Sequence, residues 1–312
     1  MATTLRTPSL SRSSPSSSFP LRAYFGHHKC ASGWTVGMMR EFCLHMAVHF
    51  KVVNRRSDFA SAPSLGDFVA DQGIDFLAYA NADIKAVRSL PLHRGFHVVR
   101  DPRDIVVSAY FSHKKSHHTD DWPELIDHRA RLQRLSVSEG LLLELDFIRP
   151  FFEHMLTWDY EQENVLELRM EDMTANPLPS FLEIMEFLEL IDVPASSRVS
   201  RLAHRIVTTS NRLNHRGRRF MPGQLPLFPT PTYQLHSLSS STVERIVQDR
   251  TFERLTGRKR GQEKTSNHLR KGVPGDWKNH FEDTHIQAFK KKYNDLLLKL
   301  DYEDTPDWSL SS

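Results

Sequence analysis

The sequence predicts an α/β fold in a single domain, with a central, mainly parallel sheet and helices on both faces. Three observations carry this. Short apolar runs of strand type recur near residues 23–25, 50–53, 74–79, 96–99 and 165–168. Longer stretches of helical period separate them. Strands that alternate with helices need crossover connections, which make the strands parallel and cover both faces of the sheet. The length of 312 residues is within reach of one such domain.

Residues 1–20 differ in composition from the rest. They are rich in Ser, Pro and Thr and carry Arg6 and Arg12, and the first acidic residue of the chain is Glu41. They read as a disordered tail or an organelle transit segment, of plastid-like composition, ahead of a domain spanning 21–312.

The domain opens on Ala23-Tyr24-Phe25, a strand that ends at Gly26. A loop of small residues follows, His27 to Gly33, then a helix from about Trp34 to His49. Ala31, Ser32 and Gly33 have little bulk, so a ligand can approach their backbone. The free N–H groups of a helix start attract anions, and Lys29 adds a full charge. The opening is therefore P-loop-like. It is not a Walker loop, because the lysine precedes the small residues instead of following them.

Phe50 to Val53 is the next strand, and a polar stretch from Asn54 to Gln72 connects it to a strand over Ile74–Tyr79. Phe96-His97-Val98-Val99 has the pattern of a buried strand and ends at Arg100. Asp101 suits a helix N-cap and Pro102 the first helical position. Arg100 thus sits at the carboxyl end of a strand, where open α/β sheets bind ligands. Ser108 lies about two turns into the following helix. Pro123 to Tyr160 reads as mostly helical, Val165 to Leu168 as a strand and Phe181 to Leu190 as an amphipathic helix. Arg212 to Pro231 reads as a long surface loop, Val243 to Leu255 as a helix and Phe289 to Leu300 as a last basic helix.

Composition narrows the function. Lys and Arg total 41 against 38 Asp and Glu, a net charge of +3, which supplies no bulk attraction for nucleic acid. No apolar run approaches the about 18 residues of a membrane span. The two cysteines, Cys30 and Cys43, form no ligand-spaced pair, so neither a disulfide framework nor a zinc site is expected, and a reducing compartment such as the cytoplasm fits. His113 and His117 stand one helical turn apart with His118 beside them, but no fourth ligand completes a metal set. They read as solvent-facing or as contacts to a bound molecule.

Three distant stretches share one preference. They are the Lys29 loop, the Arg100–Ser108 pair, and the basic glycine-rich turn Arg270-Lys271-Gly272-Val273-Pro274-Gly275-Asp276-Trp277-Lys278-Asn279. Together they suit a ligand with phosphates at two ends, since the arginine fork donates paired bonds to a dianion. In these stretches the chain resembles the sulfotransferases that use 3'-phosphoadenosine 5'-phosphosulfate (PAPS). Lys29 to Trp34 is similar to that family's 5'-phosphosulfate loop and Arg100 to Ser108 to its 3'-phosphate motif. Arg270 to Asn279 is similar to its R-K-G-x-x-G-D-W-K-N signature. Glu171-Asp172-Met173 with Asn176-Pro177 resembles the segment after its central strand. The likeness runs from about Tyr24 to about Phe281.

The resemblance implies PAPS as co-substrate, a small acceptor, and no metal. It implies that Lys29 contacts the phosphosulfate, and that the backbone of Cys30, Ala31, Ser32 and Gly33, with the Ser32 hydroxyl, holds the 5'-phosphate. Trp34 and Phe252 would face adenine. Arg100, Ser108, Arg270, Lys271 and Gly272 would bind the 3'-phosphate. Four departures stand out. Gly33 replaces a hydroxyl residue, Met170 replaces an adenine-contacting tyrosine, and the family's dimer pattern after Trp277 is missing, which leaves the oligomeric state open. The family's catalytic histidine is also absent from Leu77 to Asp83. Asp83 is the first expectation for the base, with His93 second; a helix-capping Asp83 is the competing expectation. Two further classes stay open: a non-catalytic relative that binds adenosine phosphates, and a nucleotide kinase or P-loop NTPase.

Overall fold

The computed structural model describes residues 20–120, 122–192, 237–264 and 270–310, with isolated positions 206, 209, 210 and 213. The expected tail lies outside them apart from Pro20, as does the expected loop from Arg212 to Pro231 apart from Leu213.

Five of the strands form one parallel sheet: β1 (Leu21–Gly26), β2 (Phe50–Val53), β3 (Phe76–Tyr79), β4 (His93–Val99) and β5 (Val165–Arg169). Their spatial order is β2-β3-β1-β4-β5. All pairings are parallel, so every strand ends on the same edge. β1 pairs with β4 from Leu21↔His93 to Gly26↔Val98. That register sets the loop after β1 beside the end of β4.

Side chains alternate across the sheet, as the pleat requires. Tyr24, Ala78, Phe96 and Val98 belong to one apolar cluster, and Ala23, Phe25, Leu77 and Tyr79 to another on the opposite face. The first face is covered by α1 (Ser32–Met46), α4 (Pro102–Phe111) and helices that follow them in the chain. The second is covered by α2 (Leu65–Gln72) and the short α3 (Ile84–Val87).

The stretch from Asn54 to Gln72, expected as a polar connection, contains α2. Its start signal is a serine three residues before an aspartate: Ser64 Oγ accepts from the Asp67 N–H at 3.1 Å. Leu65, Phe68 and Val69 are its buried residues. The helical region after Pro123 divides into α5 (Pro123–Arg134), α6 (Val137–Phe147) and α7 (Arg149–Thr157). Beyond β5 come α8 (Met170–Ala175) and α9 (Pro177–Phe187). A two-stranded parallel pair, β6 (Ile191–Asp192) with β7 (Leu238–Ser239), returns the chain to the sheet's first face. The helix expected over Val243–Leu255 is two helices, α10 (Ser240–Gln248) and α11 (Phe252–Thr256). Thr251 breaks the run because its side chain caps α11. The last helix, α12 (Asp283–Lys299), begins earlier than its apolar period suggests. Among the described residues no helix is long and apolar enough to cross a membrane.

One buried carboxylate joins the two distant basic motifs. Asp104, in the first turn of α4, accepts from the N–H groups of Gly275 at 2.7 Å and Trp277 at 2.9 Å. Arg103 beside it donates to Asp101 and lies over the Trp277 ring, 4.0 Å from its centre. Replacing Asp104 with Ala leaves two backbone donors unsatisfied in the interior. The expected loss is about 2–4 kcal/mol of unfolding free energy, read from denaturant titration. A loss under about 0.5 kcal/mol would show that the tie is dispensable.

Candidate functional site

The site grows from the backbone after β1. Lys29 and Ala31 both take left-handed conformations, with φ of 63° and 57°. Such residues are uncommon outside glycine, and alternating turns of this kind aim successive N–H groups into one concavity. Ala31 is the N-cap of α1 and supplies no side-chain cap bond, and the first turn holds no acid. The dipole and the leading N–H groups of a 15-residue helix are thus left for a ligand.

This helix start opens into a cavity of about 310 Å³ at the carboxyl edge of the sheet. Lys29, Ala31, Ser32, Gly33, Trp34, Arg100, Ser108, Phe252, Arg270, Lys271 and Gly272 all line it. Lys29 and Gly272, 243 positions apart in sequence, therefore line the same cavity. Among the described residues the lining carries five basic side chains, with Arg260 as the fifth, and no carboxylate. A cavity so lined selects anions.

Arg100 is buried and donates from Nη1 to the Lys29 carbonyl at 3.1 Å. Its Nε is buried with no hydrogen-bond partner among the described residues. A charged donor left in this state fits an anion in the cavity. Arg270 donates to Glu263 and Asp276, Lys271 to Asp276, and Arg270 stacks over the Phe111 ring at 4.6 Å. Burial works against the Asp276 charge, but His280, Lys271, Arg270 and Asn279 hold its carboxyl well below the usual range. Asp276 thus aligns both cations at the rim. Burial, followed by the nearby Arg100 charge, pushes the Lys29 ammonium down to about 7.

Trp34 is fixed by its indole N–H, which donates to the Arg250 carbonyl at 2.8 Å, and by edge contact with Phe181 at 5.3 Å. Phe252 packs against Gly272, which has φ of 70°. One expected side-chain role changes: the Ser32 hydroxyl donates to the His27 carbonyl at 3.0 Å, so Ser32 is left to meet an anion through its backbone. Cys30, expected to act through its backbone, is fully buried and does not line the cavity, and its N–H donates to the His27 carbonyl at 3.2 Å. Burial raises its thiol pKa above the ordinary value.

Asp83 does not join this group. It is the N-cap of α3, accepting from the Lys85 N–H at 3.0 Å, and is absent from the cavity wall. Capping a short helix occupies the carboxylate locally. His93 is the first residue of β4, at the strand end away from the cavity. Neither expected base is placed to act.

Asn54, His28 and Thr174 line the cavity although no motif marked them. Asn81 and Met170 line it too, and so does His117, one of the histidines expected to contact a bound molecule. His28 Nε2 lies 2.9 Å from His113 Nε2, His113 Nδ1 lies 2.8 Å from Glu144 Oε1, and Glu144 Oε2 lies 2.9 Å from His128 Nε2. His113 stands in a π-helical turn, Ser112–Ser116, that continues α4. Ring nitrogens of His28, His113 and His117 fall within 4.8 Å of one another. His118, grouped with them by sequence, is not in that cluster.

A family model described as "Sulfotransferase domain" matches residues 94–214 and 235–301, more than half of the chain. The Lys29 loop precedes the matched region. Cytosolic sulfotransferase 16 of Arabidopsis thaliana is 29% identical over 171 residues, covering 46% of this chain and 48% of its own. The chain thus matches about half the length of that relative. Among solved structures, mouse sulfotransferase SULT7A1 complexed with PAP aligns with a TM-score of 0.51 and 14% identity, over 92% of this chain and 87% of that one. This likeness concerns the fold. Retinol dehydratase in complex with androsterone and inactive cofactor PAP aligns at a TM-score of 0.42 and 13% identity, over 89% and 82% of the two chains.

Two glycines of similar backbone isolate the packing at the cavity wall. An added Cβ at Gly272 would lie 2.8 Å from the Phe252 ring, whereas at Gly257, with φ of 68°, it meets open space. Gly257→Ala is expected to cost about 1–2 kcal/mol from the left-handed backbone alone. Gly272→Ala is expected to cost about 1–3 kcal/mol more, because Phe252 must shift. Equal losses in denaturant titration would remove Phe252 from its assigned place.

Proposed function

The chain belongs to the sulfotransferase family, and on that premise we propose that it transfers a sulfuryl group from PAPS to a hydroxyl or amine of a small acceptor. The observation that carries this reading is the convergence of Lys29, Arg100, Arg270 and Lys271 with the uncapped start of α1 on one cavity that, among the described residues, no carboxylate lines. These donors fit a ligand with anionic groups at two ends. PAPS supplies an activated sulfuryl group whose leaving group is a phosphate.

The residues divide into three tasks. The backbone of Ala31 to Gly33 and the dipole of α1 hold the 5'-phosphate. Trp34 and Phe252 bound a flat slot for adenine, with Met170 completing the wall. Arg100, Ser108, Arg270, Lys271 and the Gly272 backbone bind the 3'-phosphate. Lys29 sits at the reacting centre and stabilises charge that develops on the bridging oxygen. In-line transfer spreads charge over equatorial oxygens, as phosphoryl transfer does, so positioning and fixed positive charge do most of the work. The acceptor enters beside His28, His117 and Asn81. Two buried thiols with no disulfide suit a reducing compartment, and we place the protein in the cytoplasm.

Transfer of labelled sulfate from PAPS to phenols, alcohols, amines and sugars tests the reading. Binding of adenosine 3',5'-bisphosphate without transfer to any acceptor would make the chain a binding relative. No binding at all would remove both readings.

Lys29→Ala is expected to lower turnover by about 10²–10³-fold while weakening bisphosphate binding less. Arg100→Ala is expected to weaken bisphosphate binding by about 10–100-fold, with a smaller effect on turnover at saturation. Equal profiles for the two variants would contradict the division of tasks.

The Lys29 pKa of about 7 has a further consequence. A bound dianion favours the charged ammonium and raises that pKa, so binding takes up a proton. Affinity for the bisphosphate should fall as pH rises above 7, by up to about tenfold per unit. Calorimetry in buffers of different ionisation enthalpy should show the uptake in the wild type and not in Lys29→Ala.

A further inference from the structure

We propose that His28 is the general base of the transfer, and that His113 and Glu144 position it and stabilise its charge. The inference rests on the sulfotransferase reading and supplies what that reading lacks, since neither Asp83 nor His93 reaches the cavity. His28 lines the cavity and is joined by its peptide bond to Lys29. It stacks on Phe151 at 4.5 Å, and its ring meets His113 nearly end to end, with 24° between planes.

The hydrogen bonds assign the tautomers. Burial disfavours a charge on Glu144, but His113 and His128 outweigh it and hold its pKa below the usual carboxylate value. A carboxylate accepts only, so His113 Nδ1–H and His128 Nε2–H both donate to it. Burial lowers the His113 pKa, so that ring is neutral and its Nε2 carries a lone pair. His28 Nε2–H must then donate to His113 Nε2 at 2.9 Å. That leaves Nδ1 as the basic nitrogen of His28.

Among the described residues, Arg129 donates to the carbonyls of His113, at 2.6 Å, and of His117. Lys29 and His117 flank it at the cavity, and Trp122 packs edge-on against His28 and His113. Phe147 stacks on His128 at 3.7 Å. Glu144 and His113 are fully buried. A positive charge on His28 is answered through His113 by the Glu144 carboxylate in a poorly solvated place, where that interaction is strong.

The step balances. The acceptor O–H bond breaks and its proton goes to His28 Nδ1. The acceptor oxygen forms the new bond to sulfur. The bond from sulfur to the bridging oxygen breaks, and its electron pair stays on the 5'-phosphate, beside Lys29. His28 later returns its proton to solvent through the open cavity.

Four measurements test this. The first needs no turnover: ¹⁵N imidazole NMR of the full chain should show His113 protonated on Nδ1 and His28 on Nε2 at neutral pH. Protonation of His113 on Nε2 would overturn the relay.

The second is His28→Ala, with bisphosphate affinity within about threefold of wild type as the check on folding. Its turnover should fall by about 10²–10⁴-fold with an aliphatic alcohol and much less with a nitrophenol already ionised at neutral pH. Added imidazole should restore part of the loss. Equal losses on both acceptors would overturn the assignment. If the wild type binds the bisphosphate and transfers sulfate, such a result rejects His28 and leaves the sulfotransferase reading intact.

The third is Glu144→Gln. Losing the carboxylate lowers the basicity of His28, so the rising limb of turnover against pH should move to lower pH. An unmoved limb would exclude Glu144 from the relay. Dialysis of the wild type against a chelator should leave activity unchanged. Loss of activity that zinc restores would assign His28, His113 and His117 to a metal instead.

Discussion

The site depends on the parallel pairing of β1 with β4. Because Gly26 lies opposite Val98, the loop that follows β1 and the arginine that follows β4 leave the sheet side by side. The 3.1 Å bond from Arg100 to the Lys29 carbonyl closes that junction. Burial, and after it the Arg100 charge held close by, lowers the Lys29 pKa and readies the pair for an anion. Antiparallel pairing would send the two motifs to opposite edges of the sheet.

The third motif enters through Asp104. Its carboxylate takes the N–H groups of Gly275 and Trp277, so the C-terminal turn is fixed to the same helix that carries Ser108. Asp276 then aligns Arg270 and Lys271 from one side, while Gly272 admits the Phe252 ring from the other. Acidic residues thus surround the cavity and orient its cations without lining it. This separation keeps the donors in place while the interior stays positive.

Much of this was legible in the chain because it is written locally. Alternating apolar runs located all five strands of the main sheet, and Asp101-Pro102 located the start of α4. Small residues after Lys29 marked a tight loop open to a ligand, and the backbone turns left-handed there at Lys29 and Ala31. Local signals were overlooked at Ser64, which starts α2, and at Thr251, which divides the helix before Phe252. Of the two expectations for Asp83, base and helix cap, its local pattern allows both and the structure shows the cap. Periodicity does not reveal where a carboxylate points.

The sequence by itself determined the alternation of strands and helices, the three basic motifs and their chemistry, because each depends on neighbours a few residues apart. Only the tertiary structure decided which histidine faces the cavity and what stands behind it. His28, His113, Glu144 and His128 lie on a loop, a π-turn and two helices, and their hydrogen bonds join residues up to 85 positions apart. Their tautomers follow from one buried carboxylate, and burial is a property of the packed chain.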